Sequence, residues 1–291
     1  MLFIQFFLIV IIIIMNLKKV GVIGNGFVGE AQVFAFSPIA KVMVYDLDPL
    51  KTKNSIQEVS ECDFVFVCVP TPMNIDGSQD FSIVESIFEN ATKKPIYIIK
   101  STILPGSTEK LITKFKDIKI IFSPEFLTER TAKLDMLTQS RVVLGGEDSL
   151  TQKVEQLYKR RFKNKNIIRT DSKTAELIKY MNNSFFATKV SIMNEFKLIC
   201  EKIGADWEQA LNGFVSDGRV GDSHLNVPGH DGKLGYGGTC FPKDVNAILS
   251  FAKRLEINLN TIQGGWITNL EVRKEKDWEN NLGRSVNYLK K

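Results

Sequence analysis

No block of five or six basic residues occurs in this 291-residue chain, although Lys and Arg outnumber Asp and Glu by 38 to 33. Runs such as KRRFKNK at 159–165 stay short, so the footprint of a nucleic-acid binder is weak and nucleic acid is not expected as a partner; the small surplus equally suits a phosphorylated substrate. No CxxC pair joins the four cysteines at 62, 68, 200 and 240. Neither a disulfide framework nor a zinc cluster follows, no metal is expected, and reduced thiols in a cytoplasmic protein are the simplest account. Cys68 and Cys200 lie in apolar stretches, as small core residues do, and Cys240 does not. Internal repeats and Pro/Ser-rich linkers are also missing. The apolar opening MLFIQFFLIVIIII is shorter than the roughly 20 residues that a spanning helix needs. No basic stretch precedes it and no small-residue cleavage site follows, so neither a signal peptide nor a membrane partner is expected. Residues 1–15 read as a hydrophobic N-terminal extension, with Met15 the expected start or the extension a dispensable tail, and a short hydrophobic anchor the alternative.

What is present is a globular composition, 44% hydrophobic and 24% charged, in a chain long enough for about two cores. Continuous apolar runs rich in Val and Ile recur at 20–24, 42–45, 64–69, 96–99, 119–122 and 141–144. Unbroken rather than alternating apolarity marks strands covered on both faces, as in a parallel sheet. Stretches fit for helices, at 27–36, 80–92 and 106–116, lie between them. The expectation is an α/β fold with a doubly wound, Rossmann-type parallel sheet over 16–165. From 171 the texture changes. A polar start, an amphipathic body and a terminating Gly204 predict one helix of about 30 residues, a connecting spine or dimer surface. Shorter helices at 206–214 and 243–256 flank a glycine-rich loop at 218–239, which makes 166–275 a mainly helical central domain and leaves 276–291 as a short tail.

Gly24, Gly26 and Gly29 stand in GNGFVG, directly after a buried strand and at the mouth of a helix. That is the setting of a dinucleotide fingerprint: one glycine for the turn, one for backbone approach to the pyrophosphate, one for close helix packing. Phe27 and Val28 then open a helix whose amino end faces the phosphates. Asp46, 22 residues beyond Gly24, ends the second strand, where a carboxylate would bond ribose hydroxyls and repel a 2′-phosphate. NAD is the expected cofactor. An aspartate that only starts the turn DLDP is the plainer alternative.

A nicotinamide cofactor implies hydride transfer, and the loop GYGGTCFPKD at 235–244 adds a thiol. A thiolate at Cys240 can capture an aldehyde, surrender a second hydride and leave as water releases an acid. Lys243 would favour the thiolate if the loop curls into a helix at Pro242, and the same curl would set Asp244 one turn from Cys240, in reach of a water or a shared proton. On spacing alone, a pliable glycine loop whose cysteine merely fits remains open.

GNGFVG, FVCVPTP at 66–72, KSTILPG at 100–106, FSPEFLTE at 122–129, AELIKYMNNSF at 175–185 and GYGGTCFPKD together resemble the UDP-glucose/GDP-mannose 6-dehydrogenases, in that family's order, from about 16 to 275. The resemblance implies Cys240 as the thioester nucleophile and Asp244 as its acid/base partner. It implies Lys179 and Asn183, four apart on one helix face, at the reacting sugar and the oxyanion. Glu125 matches the carboxylate that activates the hydrolytic water and Thr102 a hydroxyl that holds it; Glu129, Lys243 and Gly237 fall on the substrate side. Arg219 in DGRVG matches an arginine that reaches the partner subunit's sugar site. Pro70, Thr71, Thr102 and Arg273 join the glycine loop and Asp46 around NAD. The implied reaction is the four-electron oxidation of a nucleotide-hexose, UDP-glucose to UDP-glucuronate, by a homodimer whose interface uses the apolar positions of FFATKVSIMNEF. The family pattern continues into a further α/β domain that grips the nucleotide, so this chain reads as a short variety, a truncated product or one completed by a partner chain. Two alternatives stand beside this reading: a two-electron hydroxyacid dehydrogenase and a non-catalytic NAD-binding remnant. His224 and His230 match nothing and read as loop residues.

Overall fold

The computed structural model describes residues 18–288, so the apolar opening and the expectations that fall on 1–17 lie outside the described residues. The chain separates into two compact units. One runs up to Pro70 and resumes over Phe81–Lys179; the other takes Thr71–Asp80 and continues from Tyr180.

The first unit is a sheet of seven strands, β1 (Lys18–Ile23), β2 (Ala40–Tyr45), β3 (Phe64–Val67), β4 (Ile96–Ile99), β5 (Lys119–Phe122), β6 (Arg141–Gly145) and β7 (Asn166–Thr170), in the order β2-β1-β3-β4-β5-β6-β7. All neighbours are parallel except β5 and β6, which meet antiparallel at Phe122 and Gly145. The helices are α1 (Phe27–Phe36), α2 (Ile56–Ser60), α3 (Ser82–Glu89), α4 (Ser107–Lys114), α5 (Ala132–Thr138) and α6 (Asp148–Arg161). The continuous apolar runs have a direct cause: Phe64 and Phe66 enter one core with Phe36 and Tyr158, while Val65 and Val67, alternating with them, enter another with Phe88 and Tyr97. A strand buried on both faces has no polar side to show. Strand β7, NIIRT, is half exposed, carries no such run, and is therefore not foreseen from the sequence.

In the chain, α7 (Ser172–Ile203) spans 32 residues and passes from the first unit into the second between Lys179 and Tyr180. The second unit continues with α8 (Trp207–Val215), α9 (Phe241–Arg254) and α10 (Asn260–Val272). The pair Gly264 and Gly265 hides α10 from a propensity reading. In the fold, Ser191 of α7 donates its hydroxyl to Gly265 O at 2.6 Å, so one of these glycines lies where two helices approach closely. Among the described residues no helix is long and apolar enough to cross a membrane, and no group of three or more His, Cys, Asp or Glu is placed to hold a metal ion.

Candidate active site

The order β2-β1-β3 makes a topological switch point between β1 and β3, the place where open α/β sheets bind ligands beyond the carboxyl ends of their strands. Gly24 sits there with φ +88°, and a Cβ on it would come within 2.7 Å of Cys68 O at the end of β3. A Cβ on Gly29 would overlap the carbonyl oxygen of Gly24, so helix α1 lies directly on the loop that precedes it. Gly26 is the N-cap of α1, has no side chain to cap the helix, and has no atom within 4 Å of the place a Cβ would take. The first two glycine roles expected for a pyrophosphate cradle and the third are thus all present: a forced turn, an open approach and a tight packing. The cradle fits the dinucleotide, with the helix amino end at Phe27 and Val28 free of side-chain caps.

Asp46 beyond β2 accepts from the backbone N–H of Asn25 at 2.6 Å and from that of Asp48 at 2.8 Å. It therefore both starts the turn and pins the glycine loop. A carboxylate offers about four acceptor sites, so capacity for ribose hydroxyls remains. Pro70 is exposed just past β3, and Thr71, the first residue of the second unit, is buried.

At the end of β5, still in the first unit, Ser123-Pro124-Glu125 meets two buried lysines. Lys179 of α7 donates to Glu125 Oε1 at 2.9 Å and to its carbonyl at 2.7 Å, and Leu127 N–H donates to Oε2 at 2.7 Å. Burial pushes the Glu125 carboxyl up, but the Lys179 cation and these hydrogen bonds outweigh it and hold the group below the usual carboxylate range. Lys100, at the end of β4, donates to Ser123 Oγ at 3.1 Å and to Pro124 O at 2.9 Å. Burial lowers its pKa to about 8. Sequence reasoning did not single out Lys100, although a lysine that ends the all-apolar strand IYII was the signal available. Thr102, two residues on, is 7% exposed, while Glu129 lies in the exposed turn Glu129–Thr131.

In the second unit the loop does curl into a helix. Cys240 is the N-cap of α9, half-buried, with Pro242 in the first turn. Asp244 N–H donates to Cys240 O at 3.0 Å, which sets Asp244 one turn from the thiol. Asp244 is 1% exposed; its Oδ2 accepts from Asn183 Nδ2 at 2.6 Å and its Oδ1 from Lys243 Nζ at 2.5 Å. Lys243 is thus paired with the neighbouring carboxylate. The hydroxyl of Thr239 lies 3.7 Å from Cys240 Sγ.

The expected pliability of this loop is not what the structure shows. Gly235 N–H donates to Asn194 Oδ1 at 3.0 Å, Tyr236 N–H to Asn269 Oδ1 at 2.7 Å, and Gly238 N–H to Asp277 Oδ2 at 3.0 Å. A Cβ on Gly237 would overlap Asp277 and stand 2.5 Å from Arg273 Nε. Gly235 and Gly237 admit the protein's own side chains, whereas no atom lies within 4 Å of the place a Cβ on Gly238 would take. Arg273, 3% exposed, spends its guanidinium on Asp277 at 2.7 Å, Asp231 at 2.6 Å and Leu234 O at 3.3 Å. Arg219 is exposed and forms a two-pronged pair with Asp217 at 2.5 and 2.7 Å. The structure therefore brings together Glu125 with Lys179, Asn183 with Asp244, Lys243 and the Cys240 turn, and Gly237 with Arg273; Arg219 and Glu129 lie in exposed segments.

The model described as the UDP-glucose/GDP-mannose dehydrogenase family, NAD binding domain, matches residues 39–162, and the central-domain model of the same family matches 173–270. A UDP-glucose 6-dehydrogenase of Bacillus subtilis is 35% identical over 210 residues, which cover 68% of this chain and 46% of that protein. The structure of a UDP-glucose dehydrogenase from the hyperthermophilic archaeon Pyrobaculum islandicum has a TM-score of 0.80 at 25% identity, over 88% of this chain and 68% of that one. A 3-hydroxyisobutyrate dehydrogenase of Mycobacterium tuberculosis shares the fold, with a TM-score of 0.70 at 15% identity over 89% and 95% of the two chains. The chain spans about half the length of the curated relatives it matches. Two domain models of one family, matched in order across about three quarters of the sequence, place this chain in the UDP-glucose/GDP-mannose dehydrogenase family, with the seven-stranded unit as its NAD-binding domain.

Proposed function

We propose that the protein carries out the NAD-dependent four-electron oxidation of a nucleotide-hexose, UDP-glucose to UDP-glucuronate, with Cys240 as the covalent catalyst. The observation that carries the reading is the start of α9, where half-buried Cys240 occupies the N-cap position and a buried carboxylate one turn on is tied to Asn183 and Lys243. The relatives' names supply the substrate class.

Gly26 and Asp46 would hold NAD by its pyrophosphate and its ribose, and two molecules of NAD bound in turn would supply the two hydride acceptors that a four-electron oxidation needs. The sugar alcohol loses its first hydride and a proton to become an aldehyde. Cys240 sulfur then bonds the aldehyde carbon, and the resulting alkoxide is protonated with Lys179 and Asn183 at the oxygen. Loss of the second hydride and the hydroxyl proton leaves a thioester. Water, held by Thr102 and deprotonated by Glu125, breaks the carbon–sulfur bond, which releases the acid and restores the thiol. A Glu125 held below the ordinary carboxylate range is ionised at neutral pH and able to take that proton. Gly237, Lys243 and Glu129 serve the substrate, and Pro70, Thr71 and Arg273 the cofactor.

A homodimer in the cytoplasm belongs to the same proposal. Met181, Phe185, Ile192, Phe196, Ile199 and Ile203 of α7 are 44–72% exposed and recur at steps of three, four and seven, one apolar stripe suited to a second copy. Arg219 of one copy then serves the sugar site of the other. Incubation with NAD and a panel of UDP- and GDP-hexoses tests the scheme: two NADH and one uronate per sugar are expected, and one NADH with free aldehyde overturns it. The shared fold with the 3-hydroxyisobutyrate dehydrogenase favours a second reading, a two-electron oxidation. Full activity of Cys240→Ala selects that reading.

A further inference from the structure

The central-domain match of the family ends at residue 270. We propose that the segment 277–288 is a strap that positions Cys240, with Asp277 and Ser285 as its positioning residues; the inference rests on the covalent role of Cys240. Both polar groups of the Gly238 peptide backbone, two residues before the thiol, are held by this segment. Asp277 Oδ2 accepts from Gly238 N–H at 3.0 Å, and Ser285 Oγ donates to Gly238 O at 3.2 Å. Gly238 has φ +72°, a left-handed backbone that needs such fixing.

The strap is itself anchored. Ser285 and Val286 are fully buried and Trp278 is 2% exposed, packed with Met73 and Val286. Met73 N–H donates to Ser285 O at 2.8 Å and Asn287 N–H to Met73 O at 3.0 Å, so the strap also takes both backbone groups of Met73. Asn287 Nδ2 closes the far side of the 71–80 excursion on Asp80 Oδ2 at 3.0 Å. Ser285 therefore joins two loops through one residue: its carbonyl holds the chain that follows Thr71, and its hydroxyl holds the loop that precedes Cys240. Asp277 has a second tie, the Arg273 guanidinium, which is locked in turn on Asp231. A side chain that is fully buried and spends its hydroxyl on a glycine carbonyl two residues from a nucleophile fixes where that nucleophile stands.

Ser285→Ala and Asp277→Asn in the full chain test this. The first readout is the rate of Cys240 alkylation by iodoacetamide, resolved from Cys62, Cys68 and Cys200 by peptide mass spectrometry; the second is kcat against KM for NADH release; the third is the thermal midpoint. Ser285→Ala is expected to slow Cys240 alkylation and kcat by about fivefold, the weight of one hydrogen bond, with KM for NAD unchanged. Asp277→Asn is expected to do more; if it fails to fold, Ser285→Ala alone decides. Parental alkylation and kcat in a folded Ser285→Ala overturn the strap even where Cys240→Ser abolishes acid formation. Slowed alkylation together with a fully active Cys240→Ser overturns the covalent scheme and leaves the strap standing.

Discussion

Each unit carries a glycine loop that runs into a helix amino end and a lysine–carboxylate pair, yet the two use these parts in different ways. In GNGFVG the glycines bring backbone against backbone and leave the space beside Gly26 open, as the proposed pyrophosphate cradle requires. In GYGGTC the space beside Gly235 and Gly237 is filled by Asn269, Arg273 and Asp277. The first loop is packed on its own backbone, and the second is held by side chains from elsewhere in its unit. The ion pairs differ as well. Lys179 and Glu125 have a second buried lysine beside them, whereas Lys243 and Asp244 are adjacent in sequence and tied to Asn183. Glycine content thus reports that something comes close, and only the surroundings say whether it is a ligand or the chain itself.

The largest effect is expected where the first loop is packed hardest. Gly29→Ala drives a methyl into the Gly24 carbonyl, and a loss of about 3 kcal/mol in a urea titration is expected. An unchanged midpoint would break the contrast between packed and open glycines. Next comes the extra lysine. Burial lowers Lys100 from 10.5 to about 8, so between those values the unfolded chain holds a proton that the folded chain has released. Its contribution to stability therefore rises with pH across that window, by about 1.4 kcal/mol per unit at most. Comparison of unfolding midpoints for the parent and Lys100→Met across that range isolates it, since other titrating groups are common to both. A common slope would show that the lysine stays charged. The smallest effect on the fold is Gly26→Ala, whose methyl meets no atom within 4 Å. Stability within about 0.5 kcal/mol of the parent is expected, with NAD affinity lowered about tenfold by calorimetry. Retained affinity would mean that the open space is not the cradle.

The six strands with continuous apolar runs, the long helix and the fingerprint glycines were legible because each depends on local pattern: burial on both faces, a 3.6-residue repeat, a strand-to-helix turn. Strand β7 and helix α10 were not, since an exposed edge strand and a helix with two internal glycines lack those patterns. In the site, Cys240 and Asp244 were legible as one turn because four residues of helix place them there. Lys179, Asn183 and Glu125 were singled out through resemblance, but the bonds from Lys179 to Glu125, 54 residues away, and from Asn183 to Asp244, 61 residues away, were not foreseen, and no spacing rule could supply them.

The sequence by itself determined the alternation of strands and helices, the switch from sheet to helical texture near 170 and the thiol at a helix start, because those follow from neighbours along the chain. Only the tertiary structure decided that the cysteine loop is clamped, that Lys100 is buried beside Ser123, and that 277–288, read as a tail, is tied into Met73 and Gly238. Hydrogen bonds across tens of residues depend on which surfaces meet, and that is settled when the packed core brings distant backbone groups out of water and obliges them to find partners.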